Sequence, residues 1–138
     1  MDYLARREHP RAELLAKLQR AGFDGETAEA AVERLAAEGL QDDKRYVESF
    51  IQARIAQGKG PVRIRSELRE AGIEAGLVEE GLAICGADWD ALAADVRRKK
   101  FGPAPPGSYP DKARQMRFLQ YRGFDMSQIE AAVGADEP

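Results

Sequence analysis

Cysteine and histidine are nearly absent: the 138 residues hold one of each, Cys85 and His9. No disulfide can close within the chain, and a zinc site of the usual cysteine/histidine type lacks ligands. No metal and no cofactor is expected. No apolar run approaches the roughly 20 residues that a membrane-spanning helix needs, so no membrane partner is expected. The opening Met-Asp-Tyr-Leu-Ala-Arg-Arg has no secretory apolar core, and the expected compartment is the cytoplasm. There is no Gly-rich phosphate loop ending in Lys-Ser/Thr, no HExxH and no Gly-x-Ser-x-Gly, so no catalytic residue is assigned and an enzyme is not expected. Cys85, behind Leu82, reads as a buried structural thiol. His9, beside Pro10, reads as a capping or surface residue. Charge of one sign is also missing: 21 basic against 24 acidic residues leave a net charge of −3. That excludes a globally basic nucleic-acid binder, but not a local basic patch.

What is present is a repeat. Apolar residues make up 43% and charged residues 33%, a core-forming composition. The segments Leu18-Gln19-Arg20-Ala21-Gly22-Phe23, Leu68-Arg69-Glu70-Ala71-Gly72-Ile73 and Leu119-Gln120-Tyr121-Arg122-Gly123-Phe124 align, with offsets of 50 and 51 residues. Each glycine follows an amphipathic stretch and precedes a large apolar residue, the pattern of a helix ended by a left-handed glycine. Asp24 and Asp125 stand where they can cap the next helix. Downstream, Ala28, Ala31, Val32, then Val78, Gly81, Leu82, then Ile129, Ala132, Val133 fall on one helical face in each copy. Upstream, the pairs Leu14/Leu18 and Ile64/Leu68 line the other helix. In the third copy Gln115 takes the first position, and Met116 is expected to take over its packing.

A further helix precedes this pair. Asp42-Asp43 opens one with Val47, Phe50 and Ile51 on a face. Trp89, Leu92, Ala93 and Val96 mark another, expected to end before the loop Phe101-Gly102-Pro103-Ala104-Pro105-Pro106-Gly107. In the first copy only Tyr3 to Glu8 remain, a short helix. No segment alternates with period two. The expected architecture is all-α: three tandem three-helix repeats over 1–41, 42–85 and 86–138, stacked into an elongated, curved body.

The charge is unevenly distributed. Between Arg54 and Arg69 five basic residues face one acid, a balance of +4; between Arg97 and Arg122 eight face one, a balance of +7. Acids collect on the third helices, at Glu26, Glu29, Glu33 and Glu38 and at Glu74, Glu79 and Glu80. On a helix Arg65 and Arg69 are neighbours, and Arg114, Arg117 and Tyr121 share a face. A basic stripe with an aromatic suits a phosphate backbone or an acidic protein groove. The candidate partner-binding residues are Arg63, Arg65, Arg69, Lys99, Lys100, Lys112, Arg114, Arg117 and Arg122.

With these motifs in place, the chain resembles the RecX regulatory protein family of bacteria. The resemblance is carried by Arg6-Arg7-Glu8-His9-Pro10-Arg11-Ala12-Glu13-Leu14, by Gly39-Leu40-Gln41-Asp42-Asp43-Lys44-Arg45-Tyr46 and by Gly58-Lys59-Gly60-Pro61-Val62-Arg63-Ile64-Arg65-Ser66-Glu67-Leu68 with Gly72-Ile73. It continues in Lys99-Lys100-Phe101-Gly102 and in Arg117-Phe118-Leu119-Gln120-Tyr121-Arg122-Gly123-Phe124. It implies a non-enzymatic regulator that lodges in the helical groove of the RecA nucleoprotein filament and bridges neighbouring protomers. Filament growth, strand exchange, ATP hydrolysis and stimulated repressor cleavage are thereby restrained. Some members bind DNA, single- or double-stranded. A monomer is expected. The alternative is a direct DNA-binding module of helix-turn-helix type, which the net charge and the acidic third helices disfavour.

Overall fold

The computed structural model of the chain describes residues 8–134. Among these residues there are eight α-helices and no strand: α1 (Arg11–Arg20), α2 (Gly25–Ala37), α3 (Asp43–Ala56), α4 (Pro61–Glu70), α5 (Ala75–Ile84), α6 (Trp89–Phe101), α7 (Tyr109–Arg122) and α8 (Met126–Val133). The short first helix expected over Tyr3 to Glu8 lies, apart from Glu8, outside the described residues.

The three aligned glycines end α1, α4 and α7 in the same way. Gly22, Gly72 and Gly123 have φ of 106°, 84° and 102°, the left-handed region. The N–H groups of Phe23, Ile73 and Phe124 donate to the carbonyls of Leu18, Leu68 and Leu119 at 3.1, 3.1 and 3.2 Å. This is the Schellman cap, formed three times from one sequence pattern. The apolar residue after the glycine is buried in the second and third copies (Ile73, Phe124), whereas Phe23 is 50% exposed. Its backbone closes the cap all the same, but its ring has less to cover it among the described residues. Asp24 caps α2 through the Thr27 N–H (2.8 Å), and Asp125 forms a capping box with Gln128 at α8.

The helices gather into two compact units, one formed by the described residues up to Ile51 together with Glu67–Ile84, the other by Gln52–Ser66 together with the described residues from Cys85 onward. The division falls inside α3 and inside α4. In the first unit Leu14, Ala28, Val32, Val47, Ile51, Leu68, Val78 and Leu82 form the interior. Gly81 matters here because a Cβ at that position would collide with Val47 and Ile51. The entry to α1 is tied to α3: Asp43 accepts the Arg11 N–H (2.8 Å) and the Gln41 amide (2.9 Å), and that amide also reaches the His9 carbonyl (3.3 Å). His9 is therefore not a surface residue. It is 1% exposed, with Nε2 3.9 Å from Glu13. Cys85 is half-buried just past α5, rather than sealed in the core.

In the second unit α6, α7 and α8 enclose Ala93, Val96, Leu119, Phe124, Ile129 and Val133. Three sequence expectations need correction. The first concerns α6, which runs through Phe101 instead of ending before it; that ring meets Phe118 edge-on at 5.3 Å and 87°. In the second, Met116 does not replace Gln115, because both pack inward and Gln115 is itself buried. Its Oε1 accepts from the Arg97 guanidinium (3.1 Å), which also donates to the Ala104 carbonyl (3.2 Å). The third is Arg97 itself, counted among the cations of the basic window: it is 8% exposed, a structural arginine that fastens the proline-rich loop to α7.

Candidate functional site

The basic residues of the second unit are held by two devices: helix geometry and aromatic rings. The last turn of α6 carries Arg98, Lys99 and Lys100, where positive charge complements the helix dipole. Arg98 and Lys99 pair with Asp95 at 3.2 and 3.1 Å. The Lys99 ammonium, more than Arg98, holds the Asp95 carboxyl below its usual range. Lys100 lies over the Phe118 ring at 5.5 Å, and Arg122 over the same ring at 5.3 Å. Arg122 also donates to the Gln57 carbonyl at 2.8 Å.

The start of α4 is pinned to the end of α7. Gly60 N–H donates to the Arg122 carbonyl and Val62 N–H to the Gly123 carbonyl, both at 2.9 Å. A Cβ at Gly60 would strike the Gly123 carbonyl, and one at Gly123 would strike Arg63. Only glycine permits this approach. It places Arg63 5.5 Å from the centre of the Tyr121 ring, with its guanidinium 3.4 Å from the Tyr121 carbonyl. Tyr121 is 74% exposed.

Nearer the start of α7, Arg114 pairs with Asp111 (2.8 Å) and stacks over Phe101 (4.8 Å). Asp111 also accepts the Gly107 N–H (3.1 Å) and the Gln115 amide (3.3 Å). The Gly107 N–H first, and then Arg114, lower its carboxyl below the ordinary range. Arg117 is exposed and Lys112 half-buried on the same helix; on α4, Arg65 is half-buried and Arg69 exposed. The fold thus brings Lys99, Lys100 and Arg122 to one place. It sets Arg63 against Tyr121 and Arg114 against Phe101. Arg69 belongs to the other compact unit.

Lys99, Lys100 and Arg122 share a cleft of about 360 Å³ whose apolar lining comes from Ile55, Leu92, Val96 and Phe118. The sequence alone does not reveal it. Its walls come from α3, α6 and α7, and the only local signal is Phe118 four residues before Arg122, one helical turn away. Among the described residues no group of three or more His, Cys, Asp or Glu side chains could hold a metal, and no helix is long and apolar enough to cross a membrane.

The helices define an all-α fold of tandem three-helix units, with basic residues most numerous on α6 and α7. Family models for the first, second and third three-helix domains of RecX match residues 1–35, 42–82 and 88–133. A protein of Pseudomonas savastanoi pv. phaseolicola named "Regulatory protein RecX" is 45% identical over 94% of this chain and 83% of its own length. One of the same name from Halorhodospira halophila is 45% identical over 96% of this chain and 82% of its own length. The crystal structure of RecX from Lactobacillus salivarius superposes with a TM-score of 0.78, at 21% identity, covering 95% of this chain and 87% of that one. The chain belongs to the RecX family.

Proposed function

We propose that this chain is a non-enzymatic regulator that binds the RecA filament in its helical groove and mainly inhibits filament growth, ATP hydrolysis and recombination. The observation that carries the reading is the match of all three RecX three-helix domains along one chain, with relatives named as regulatory proteins over most of their length. Electrostatics supports it. Arg63, Lys100, Arg114 and Arg122 lie over aromatic rings, so less side-chain freedom is lost when they meet an acidic partner. Arg65, Lys99, Lys112 and Arg117 complete the proposed surface of the second unit, and Arg69 is a proposed contact of the first. Several modest contacts from different repeats to neighbouring protomers would add through effective concentration, without any single strong site. The repeats acting in this way are 1–41, 42–85 and 86–138, in a monomer working in the cytoplasm.

Co-sedimentation with RecA assembled on single-stranded DNA tests the reading. The chain is expected to pellet with filaments, and less so as salt rises. The second reading, direct DNA binding, is favoured by one observation, the exposed Tyr121 ring beside Arg63, since bases stack on such platforms. Gel-shift titration on bare single- and double-stranded DNA separates the two. Micromolar binding with a steep salt slope, together with no pelleting beyond that of the DNA alone, would support the second and contradict the first.

A further inference from the structure

We propose that the cleft between the end of α3, α6 and α7 is a docking site for an acidic peptide segment of a protein partner, with one aliphatic side chain of that segment entering the cleft between flanking carboxylates. The shape supports this. A cleft of about 360 Å³ lies at the small end of ligand sites, which run roughly 300–1,000 Å³. It suits a single large side chain with its backbone. Ile55, Leu92, Val96 and Phe118 give that side chain an apolar seat.

The charge fixes what must flank it. Three cations and one carboxylate line the cleft, and that carboxylate, Asp95, is already paired with Lys99 at 3.1 Å. Among the described residues, Lys100 and Arg122 have no carboxylate of their own there. Arg122 is preset: the Gln57 carbonyl anchors it at 2.8 Å, and Gly58 makes room for it, since a Cβ there would come within 3.3 Å of its guanidinium. A planar guanidinium so held is suited to grip a carboxylate bidentately.

A nucleic-acid strand fits less well. The aromatic in the cleft, Phe118, already carries Lys100 and Arg122 over its ring at 5.5 and 5.3 Å and meets Phe101 at 87°, so a stacking base would have to compete with those cations for it. An aliphatic seat also offers nothing to a sugar-phosphate chain. The inference rests on the regulatory reading only in taking the partner to be a protein.

The test is a methyl and amide NMR titration of the whole chain with three probes: an acetylated Asp-Glu-Leu-Asp-Glu peptide, its Asp-Glu-Ser-Asp-Glu counterpart and a thymidine octamer. The leucine peptide should give saturable shifts at the Ile55, Leu92 and Val96 methyls. The serine peptide should bind roughly tenfold more weakly, the value of one buried aliphatic side chain. Lys100→Glu, an exposed change at a helix end, should abolish the shifts while leaving the rest of the spectrum in place. The proposal is overturned if the leucine peptide gives no saturable shifts at millimolar concentration. It is equally overturned if the serine peptide binds as well, or if the octamer moves the same methyls as strongly. Failure here with RecA inhibition intact removes the cleft assignment alone. Peptide binding without RecA inhibition removes the filament reading alone.

Discussion

At the residue scale the glycines separate two costs that look alike in sequence. Gly22 and Gly123 occupy equivalent caps with nearly equal φ, yet among the described residues a Cβ meets nothing at Gly22 and strikes Arg63 at Gly123. Gly22→Ala should cost about 1 kcal/mol for the left-handed backbone alone. Gly123→Ala should cost about 3 kcal/mol or more, because the α4–α7 clasp must also open. Urea unfolding of both variants checks this, and equal losses would show that the clasp contributes little. Gln115 gives a second case. It is a polar residue at a core position whose partner, Arg97, lies 18 residues away on α6. Gln115→Leu should therefore destabilise by about 2 kcal/mol, since a hydrogen bond to a buried charge is lost. The apolar-position rule alone would predict a gain. This is why Gln115 and Arg97 were not legible in the sequence: burial of a polar side chain depends on a partner that only the fold supplies. His9 is similar, enclosed by an entry segment that the Asp43 and Gln41 contacts fix.

At the element scale the helix ends were the most legible feature. A left-handed glycine and an apolar residue after it are local signals, and their recurrence at 50 and 51 residues marked every copy, with an aspartate next in the first and third. Asp125→Ala should cost about 1 kcal/mol, as for an ordinary N-cap, read by thermal unfolding. Carboxylates in the caps and helix pairs also set an acid limit. Asp24 is lowered by the Thr27 N–H, Asp95 by Lys99 and Asp111 by the Gly107 N–H, each from an ordinary value of 3.8. A carboxyl with a lowered folded pKa stabilises fully above its unfolded value and loses that contribution as pH falls through the folded one. Stability from these three groups should therefore be flat above about pH 5 and decline below pH 4. Asp111→Asn should flatten part of that decline in a circular-dichroism acid titration; an unchanged profile would show that the Gly107 contact carries no weight. The end of α6 was less legible, because Phe101 extends the helix by packing on Phe118 from another element.

At the scale of the whole molecule the all-α repeat fold could be read directly, since period and helical faces agree along the chain. The grouping of the helices could not. The compact units divide at Ile51 and at Ser66, inside two helices, and no sequence period marks those points. The candidate surface was legible as a charge count but not as an arrangement. Of the eight basic residues between Arg97 and Arg122, Arg97 is structural, Arg98 and Lys99 share Asp95, and Lys100 and Arg122 face the cleft. A window sum cannot make that distinction. If the basic face of α7 meets the filament, Arg114→Glu with Arg117→Glu should weaken filament binding about tenfold or more at low salt and less at high salt. Co-sedimentation at two salt concentrations reads this directly.

The central claim, regulation of RecA without chemistry of the chain's own, is tested most directly by single-stranded-DNA-dependent ATP hydrolysis by the cognate RecA, with this protein titrated in. Inhibition is expected at fewer copies of the chain than of RecA, relieved by the Arg114→Glu/Arg117→Glu variant. Unchanged hydrolysis at equimolar protein, with intact filaments present, would contradict it.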